Sequence, residues 1–283
     1  MTEPTLLNVE DPSATPSDVD NRASIHPSAV IAKNVTIGPW AVIGPNVEIG
    51  EGTHIHSHVV IDKNVKLGRN NRIYPYASIG CDPQDLGYRG EETYLEVGDG
   101  NIFREFVTIN RGSTSGHGVT KIGNKNFFLA YSHVAHDCTL GNEILMVNNA
   151  TMAGHVNVDD HVILGAFTAI HQFCHIGAYS FLSRATEVSK DVPPYMLVKG
   201  LPGYPCGLNA VGLKRHGFST EAMRGLKQAY QILYRRQLKF DVVLKELEAL
   251  ASTCSEVQSI LDFIHASERG IARREYDHVK DDR

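Results

Sequence analysis

Aliphatic residues recur at every sixth position through most of the chain before residue 193. The first run has ten members in register: Ile25, Ile31, Ile37, Ile43, Ile49, Ile55, Ile61, Leu67, Ile73 and Ile79. After two interruptions the register returns for twelve hexads: Ile122, Phe128, Val134, Leu140, Met146, Met152, Val158, Leu164, Ile170, Ile176, Leu182 and Val188. Small or β-branched residues usually stand four positions later in each hexad, as at Ala41 and Val47. An amphipathic helix would repeat at about 3.6 residues instead.

A six-residue period predicts one short strand and one corner for each hexad, with one large and one small side chain pointing inward. Three hexads, 18 residues in all, close one coil. Stacked coils pair their strands about 4.8 Å apart and bury a continuous aliphatic column. The pattern therefore predicts a mainly β protein built as a parallel β-helix. The register breaks at 81–94 and 111–120, which predicts two loops of the kind that often carry function.

Helical spacing replaces the hexads after about Pro193, in "STEAMRGLKQAYQILYRR", "DVVLKELEALA" and "SEVQSILDFIHASERG". We expect a β-helix over 24–195 and a small helical domain over 196–275. Residues 1–23 are acidic and rich in Pro, Ser and Thr, which predicts a disordered extension rather than a signal peptide. Residues 276–283 are expected to form a charged tail.

Composition narrows the function classes. The formal charge of −5 gives no indication of nucleic-acid binding. No apolar run reaches about 18 residues, so no membrane span is expected. The five cysteines are odd in number and form no CxxC pair, which favours a reduced, cytoplasmic protein.

The segment "YSHVAHDCTLGN" contains the candidate chemistry. His136 is followed directly by Asp137, and His133 precedes it on the same coil. Adding one coil to His136 gives Gly154, and a second gives Gln172, with His155 and His171 beside them. Histidine is the usual general base near neutral pH, a carboxylate raises its basicity, and a glycine N–H can face an oxyanion. These groups suit acyl transfer.

The chain resembles a known family over residues 24–270. The likeness rests on "IGPNVEIGEGT", "PQDLGYRGEE", "VTINRGS", "SHVAHDCTLGN", "NNATMAGHVNVDD", "AIHQFCHIGA", "DVPPYMLVKG" and "GLNAVGLKRHGFS". In this order these segments are similar to the acyl-carrier-protein-dependent UDP-N-acetylglucosamine O-acyltransferases of lipid A biosynthesis. The resemblance implies a left-handed β-helix, a homotrimer, and transfer of a 3-hydroxyacyl group from acyl carrier protein to the sugar 3-hydroxyl. The donor carries phosphopantetheine, and neither a further cofactor nor a metal is expected.

The resemblance also implies roles for individual residues. His136 is the expected general base, Asp137 supports it, and the Gly154 N–H faces the thioester oxyanion. Asp85 is expected to bind the glucosamine ring. The other expected contacts are His133, His155, His171 and Gln172 along the sugar-nucleotide and acyl channel, Asn209 and Arg215 at the nucleotide or phosphopantetheine, and Arg184 as the acyl-chain stop.

Three positions depart from the family pattern. Gly87 stands where a Lys is common, His216 where a second Arg is common, and Asn110 where a His is common. The first two changes remove positive charge close to the expected phosphates, which bears on the choice of nucleotide sugar.

Other readings of the pattern remain. A 3-amino UDP-sugar would suit the same base. A hexapeptide-fold metal hydrolase would show H-x4-H rather than the H-x2-H seen here. The related lipid A N-acyltransferases have an additional N-terminal domain, whereas only residues 1–24 precede Ile25. A coenzyme A acetyltransferase would not need "PQDL" and "GLKR", and an inert ice-binding spacer would need threonine ladders.

Overall fold

The computed structural model describes residues 18–273, in a first unit that ends at Asp137 and a second that begins at Cys138. In the first unit most strands have two residues and are separated by tight corners. They are β1 (Ser24–Ile25), β2 (Val30–Ile31), β3 (Thr36–Ile37), β4 (Val42–Ile43), β5 (Glu48–Ile49), β6 (His54–Ile55), β7 (Val60–Ile61), β8 (Val65–Leu67), β9 (Arg72–Ile73), β10 (Ser78–Cys81), β11 (Tyr94–Val97), β12 (Ile102–Phe103), β13 (Thr108–Asn110), β14 (Val119–Ile122), β15 (Phe127–Phe128) and β16 (His133–Val134).

The strands of this unit form three parallel sheets in which each strand pairs with the one three places further along. One sheet has the order β1-β4-β7-β10-β13-β16, the second β2-β5-β8-β11-β14, and the third β3-β6-β9-β12-β15. Ile25 pairs with Ile43, so one coil advances by 18 residues as the hexads predict. Beyond Ile79 the partner is Ile109, because 82–93 leaves the coil as a loop between β10 and β11. A second loop, 111–118, joins β13 to β14.

The hexad residues form the core of the first unit. Ile37, Ile43 and Ile61 are at most 1% exposed, and Val35 and Ala41 at the small positions are 0% exposed. Ile25 and Ile31 are only half buried, since they belong to the first coil. Corner residues adopt positive φ, as at Asn34 (57°) and Tyr76 (65°). Asparagine tolerates this conformation better than most residues, which explains its frequency at the corners.

The second unit repeats the same pattern and then changes to helices. Its strands are β17 (Thr139–Leu140), β18 (Leu145–Met146), β19 (Thr151–Met152), β20 (Asn157–Val158), β21 (Ile163–Leu164), β22 (Ala169–Ile170), β23 (His175–Ile176), β24 (Phe181–Leu182), β25 (Glu187–Val188), β26 (Met196–Gly200) and β27 (Gly203–Leu208). Within residues 138–273 the helices are α1 (Ala210–Arg215), α2 (Thr220–Tyr234), α3 (Phe240–Ala251) and α4 (Ser255–Ala266). The β17-β20-β23, β19-β22-β25 and β18-β21-β24-β26 strands pair in parallel.

The segment that the sequence assigned to the helical domain begins with strands. β26 continues the parallel pairing on β24 and then turns back to form an antiparallel pair with β27. Helix α2 starts at an N-cap, because the Ser219 hydroxyl accepts the Ala222 N–H at 3.1 Å. Apolar faces of α2, α3 and α4 pack together and bury Leu226, Leu247 and Ile260.

Both ends of the chain lie outside the described residues. These are positions 1–17 of the expected N-terminal extension, positions 274–275 of the expected helical domain, and the whole expected charged tail, 276–283. Residues 18–23 already join the first coil, since Val19 forms a parallel bridge with Ile37 and Asp20 N–H donates to the Ile37 carbonyl. No helix between residues 18 and 273 has the length and apolarity to cross a bilayer.

Candidate active site

The centre of the candidate site is the His136–Asp137 pair at the end of the first unit. His136 Nδ1 lies 2.8 Å from Asp137 Oδ2. The His136 side chain is 13% exposed, whereas that of Asp137 is 0% exposed. A carboxylate on Nδ1 favours the tautomer that carries its proton there, so Nε2 holds the lone pair that a general base uses. The pair predicted from sequence adjacency is therefore in the geometry of a general base and its orienting carboxylate.

Asp137 is held by the 111–118 loop. Its Oδ1 accepts the N–H groups of His117 at 2.9 Å and Gly118 at 3.1 Å. Its Oδ2 accepts the Ser113 N–H at 2.9 Å and the Ser113 hydroxyl at 2.8 Å. A buried carboxylate with several donors is stabilised in its charged form. The loop therefore holds the Asp137 carboxylate in one orientation beside the imidazole.

Close approach of the backbone lets this loop close. A Cβ atom on Gly112 would lie 2.1 Å from Val119 N and 2.3 Å from Gly118 C, which no side chain permits. Asp137 itself adopts φ 60°, and its N–H donates to the Thr120 hydroxyl at 2.9 Å. The glycine of "NRGS" therefore brings the two ends of the loop together over Asp137.

Asp85 lies in the 82–93 loop and joins the same network. Its Oδ2 accepts the Ser115 hydroxyl at 2.8 Å, and its Oδ1 accepts the Gly87 N–H at 2.8 Å. The Gly87 N–H and then the Ser115 hydroxyl lower the pKa of the Asp85 carboxyl, so it is ionised at neutral pH. The structure thus brings Asp85 into one hydrogen-bonded group with the His136–Asp137 pair, through two serines that the sequence did not single out.

Arg111 anchors the loop that contains Asp85. Its side chain is 0% exposed; its Nη1 donates to Asp62 Oδ2 at 2.8 Å and to the Gly80 carbonyl, and its Nη2 donates to Asp82 and to the Tyr88 hydroxyl. Burial acts to lower the pKa of Arg111, but its hydrogen bonds to Tyr88, Asp62 and Asp82 raise it by more. The guanidinium therefore stays charged and ties the start and the middle of the loop, at Asp82 and Tyr88, to the coil.

Replacing Arg111 with methionine is expected to loosen this loop. Met keeps the apolar bulk of the Arg111 side chain but removes every hydrogen-bond donor. The Tyr88 hydroxyl and two partly exposed carboxylates then lose their guanidinium partner. We expect a loss of about 2–3 kcal/mol in the free energy of unfolding and faster trypsin cleavage after Arg89. Thermal melts and limited proteolysis measure the two effects.

Lys63→Met is the matched control, because Lys63 makes only a 3.8 Å surface contact with Asp82. An unchanged cleavage rate in Arg111→Met would contradict the anchoring role.

His133 lies beside the pair rather than in it. Its Nδ1 is 2.7 Å from the Thr108 hydroxyl on the paired strand β13. Burial lowers the pKa of His133, and the Thr108 contact only partly offsets this. His133 is therefore neutral at physiological pH and suited to hydrogen bonding with a neutral ligand group.

In the second unit the predicted residues stack as the coil arithmetic expects. Met152 pairs with Ile170, so Gly154 and Gln172 occupy equivalent corner positions. The Gly154 carbonyl accepts the Phe173 N–H at 3.2 Å, and the His155 and Phe173 rings stack at 4.5 Å. His171 is exposed, and its Nδ1 lies 3.1 Å from the Gln172 carbonyl.

The remaining predicted residues of the second unit have different surroundings. Asn209 is the N-cap of α1: its Oδ1 accepts the Gly212 N–H at 3.1 Å and its Nδ2 donates to the Tyr179 carbonyl at 2.9 Å. Its side chain is thus engaged in helix capping. Arg215 is exposed in the last turn of α1, and Arg184 is exposed at the corner after β24.

Sequence reasoning identified the two loops, and Asp85 in the first of them, but no residue of the second loop. Ser113, Ser115 and Arg111 all lie where the hexad register is lost, so coil arithmetic gives no position for them. The available signal was compositional: "NRGSTSGHG" concentrates glycine and hydroxyl side chains directly after a buried strand.

Comparisons with known proteins agree with this geometry. A family model of bacterial transferase hexapeptide repeats matches residues 18–51, 28–63 and 46–81. A second model, described as UDP-N-acetylglucosamine O-acyltransferase, domain 2, matches residues 191–272. The fold and the repeats define the class: this is a hexapeptide-repeat transferase with a left-handed parallel β-helix and C-terminal helices, as the sequence predicted.

Relatives of known name identify the family. The acyl-[acyl-carrier-protein]–UDP-N-acetylglucosamine O-acyltransferase of Alkalilimnicola ehrlichii is 49% identical over 255 residues, which cover 90% of this chain and 99% of the relative. The enzyme of the same name from Stutzerimonas stutzeri is 48% identical with the same coverage. The chain belongs to the UDP-N-acetylglucosamine O-acyltransferase family.

Solved structures support the same assignment. The UDP-N-acetylglucosamine acyltransferase of Francisella novicida matches with a TM-score of 0.89 and 42% identity, over 92% of this chain and 95% of that one. The LpxA structure from Acinetobacter baumannii matches with a TM-score of 0.88 and 41% identity, over 90% and 99% of the two chains.

Proposed function

We propose that this protein transfers a 3-hydroxyacyl group from acyl carrier protein to the 3-hydroxyl of the glucosamine ring of UDP-N-acetylglucosamine, the first step of lipid A biosynthesis. Family membership supports the reaction. The observation that carries the mechanism is the His136–Asp137 pair, with 2.8 Å between Nδ1 and Oδ2 and a buried, multiply hydrogen-bonded carboxylate.

In the proposed step His136 Nε2 takes the proton of the sugar 3-hydroxyl as that oxygen attacks the thioester carbonyl. The new C–O bond forms, the C–S bond breaks, and the proton passes from His136 to the departing phosphopantetheine thiolate. Asp137 stabilises the imidazolium between these events.

The Gly154 N–H is the proposed donor to the oxyanion, and such a donor typically contributes about 10²–10³-fold in rate. Asp85 accepts a hydrogen bond from a glucosamine hydroxyl. His133, His155, His171, Gln172, Asn209 and Arg215 are proposed to line the sugar-nucleotide and pantetheine path.

The test is incubation with UDP-N-acetylglucosamine and a panel of 3-hydroxyacyl carrier proteins, followed by the product mass. A parallel arm offers the 3-amino analogue of the sugar, and another adds a chelator. A product larger than the sugar nucleotide by one 3-hydroxyacyl group, formed at the same rate with chelator, is the expected result. Preference for the amino sugar would redirect the assignment to N-acylation. Loss of activity with chelator and recovery with zinc would favour a metal-dependent reaction.

We also propose that the protein works as a cytoplasmic homotrimer. A column of exposed aromatic corner residues supports self-association: Tyr76 and Phe106 stack at 5.1 Å, Phe106 and Tyr131 at 4.9 Å, and the three are 51%, 42% and 56% exposed. The five free cysteines suit a reducing compartment. Light scattering should give three times the 31.1 kDa chain mass. A monomer at working concentration would contradict the proposal.

Acyl carrier protein is acidic, and we propose that basic residues around α1 and α2 attract it. The exposed group comprises Lys214, Arg215, Arg224, Lys227, Arg235 and Arg236. Arg236 is already paired with Glu246, so Arg224 and Lys227 on one face of α2 are the sharper targets. Attraction between exposed charges weakens as salt rises.

We expect the KM for acyl carrier protein to rise with ionic strength, and to rise about tenfold in Arg224→Glu/Lys227→Glu at low salt. The KM for the sugar nucleotide should change little. Lys33→Glu/Lys66→Glu, at two exposed lysines of the first unit, is the control because it changes the net charge by the same amount. Steady-state kinetics at several salt concentrations measure these KM values. A KM for acyl carrier protein that changes neither with salt nor with charge reversal would refute the docking surface.

Arg184 is proposed to limit the acyl chain. It stands at an exposed corner where a small residue would leave room for a longer chain. Each methylene buried in an apolar groove contributes about 0.8 kcal/mol, so two blocked carbons cost a little over tenfold in specificity. We expect the wild type to prefer chains of about ten carbons or fewer. Arg184→Gly should increase the specificity for chains two carbons longer by about tenfold. Ser183→Gly is the neighbouring control. A wild-type preference for about fourteen carbons that Arg184→Gly leaves unchanged would show that another residue sets the length.

A further inference from the structure

Two serine hydroxyls connect the carboxylate of Asp85 to the carboxylate of Asp137. The Ser115 hydroxyl lies 2.8 Å from Asp85 Oδ2 and 2.8 Å from the Ser113 hydroxyl. The Ser113 hydroxyl lies 2.8 Å from Asp137 Oδ2, the same oxygen that faces His136 Nδ1. A continuous line of short polar contacts therefore runs from the partly exposed loop carboxylate to the buried pair.

The hydrogens available to this line are fewer than its contacts. It has three oxygen–oxygen contacts, but each serine hydroxyl has one hydrogen, and an ionised carboxylate only accepts. When Ser115 donates to Asp85, Ser113 can donate either to Ser115 or to Asp137. When Ser115 turns to donate to Ser113, Asp137 Oδ2 at 2.8 Å is the nearest acceptor left for the Ser113 hydrogen, and His136 Nδ1 lies further away at 3.4 Å. The orientation of one hydroxyl therefore restricts that of the other.

We propose that Ser113 and Ser115 are positioning residues that couple ligand binding at Asp85 to the hydrogen bonding of Asp137 with His136. This rests on the proposed function, in which a sugar hydroxyl donates to Asp85. That hydroxyl competes with Ser115 for the carboxylate, so the Ser115 hydrogen turns towards Ser113. Ser113 then donates to Asp137 Oδ2 and fixes the carboxylate against His136. Binding of the sugar thus completes the alignment of the base.

The Ser113 hydroxyl is not required to satisfy the buried carboxylate. Asp137 already accepts the backbone N–H groups of Ser113, His117 and Gly118. These three donors persist when the side chain of Ser113 is removed, so the loop keeps its anchor. Ser115 is exposed, and its side chain contributes nothing to the core. The two hydroxyls are therefore separable from the fold, which makes the coupling testable.

The experiment compares Ser113→Ala, Ser115→Ala and Asp85→Asn, singly and combined, with UDP-N-acetylglucosamine and a 3-hydroxyacyl carrier protein. We expect Ser113→Ala to lower kcat about tenfold and to change the sugar KM by less than about twofold, with Ser113→Thr restoring the rate because it keeps the hydroxyl. Thr114→Ala, an exposed neighbour in the same loop, should behave as wild type. Thermal melts establish that each variant is folded.

A double-mutant cycle measures the coupling itself. The kcat of the double variant Asp85→Asn/Ser113→Ala should differ by about fivefold or more from the value that the two single variants predict when their effects are multiplied. When the same cycle is measured with Ser115→Ala in every variant, this difference should disappear. Multiplicative effects, or a cycle that is the same with and without Ser115, would overturn the coupling. So would a Ser113→Ala defect that Ser113→Thr does not restore. If the wild type fails to acylate the sugar, the proposed function fails; if the wild type is active and the cycle is multiplicative, only the coupling fails.

Discussion

The His136→Ala variant is expected to lose about 10²–10⁴-fold in kcat/KM while keeping its fold, which is the usual range for loss of a general base. His136 Nδ1 is engaged by Asp137 at 2.8 Å, so its ring is fixed and Nε2 is the nitrogen for proton transfer. The His136 side chain is 13% exposed and is not one of the core hexad residues, so we expect its removal to leave the aliphatic column intact. Steady-state kinetics measure the loss, and circular dichroism with light scattering checks fold and assembly.

The control for this variant is His26→Ala, which removes an exposed histidine whose ring bonds only locally, at 2.8 Å from the Ser28 hydroxyl. It should keep the wild-type rate. A His136→Ala variant that retains more than about a third of the wild-type rate would remove His136 from the role of base, because general-base loss costs far more.

The Asp137→Asn variant is expected to lose about 10²-fold in kcat and about 2 kcal/mol in the free energy of unfolding. The carboxylate accepts three backbone N–H groups, the Ser113 hydroxyl and His136 Nδ1. An amide group presents two hydrogens to this set of donors, whichever way it is turned, so at least one backbone N–H loses its acceptor. The negative charge that stabilises the imidazolium is lost as well.

Asparagine is the informative substitution because Asp137 adopts φ 60°, which Asn tolerates more readily than Ala does. Asp137→Ala adds that backbone strain, so the difference between the two variants separates strain from lost hydrogen bonds. Kinetics, thermal melts and proteolysis within 111–118 give the readouts. Wild-type stability together with a wild-type rate in Asp137→Asn would mean that the carboxylate neither holds the loop nor assists the base.

The inner column of the coils could be predicted because the hexad is a local rule. Each large aliphatic residue pairs with the one 18 positions further along, as Ile43 does with Ile61, wherever the chain adds no extra residues. The adjacency of His136 and Asp137 likewise placed a base beside a carboxylate. These features depend on near neighbours and on one fixed period, so residue order alone specifies them.

The same rule predicts where the two loops lie along the chain but not their conformations or contacts. Ser115 and Asp85 are 30 residues apart, and Ser113 and Asp137 are 24 apart, which no multiple of the coil period predicts. Their contacts depend on the path of two inserted loops and on the buried Arg111 that holds one of them. The capping role of Asn209 shows the same limit, because only the structure reveals that its side chain caps α1.

The sequence by itself therefore determined the repeating coil, its aliphatic core and the His136–Asp137 pair, because repetition turns position along the chain into position in space. Tertiary structure alone decided how Asp137 is held, how Asp85 reaches the same network, and that β26 and β27 precede the helices. Those outcomes depend on hydrogen bonds between segments that follow no common period. Such bonds depend on the coil, because it sets where the ends of each inserted segment lie.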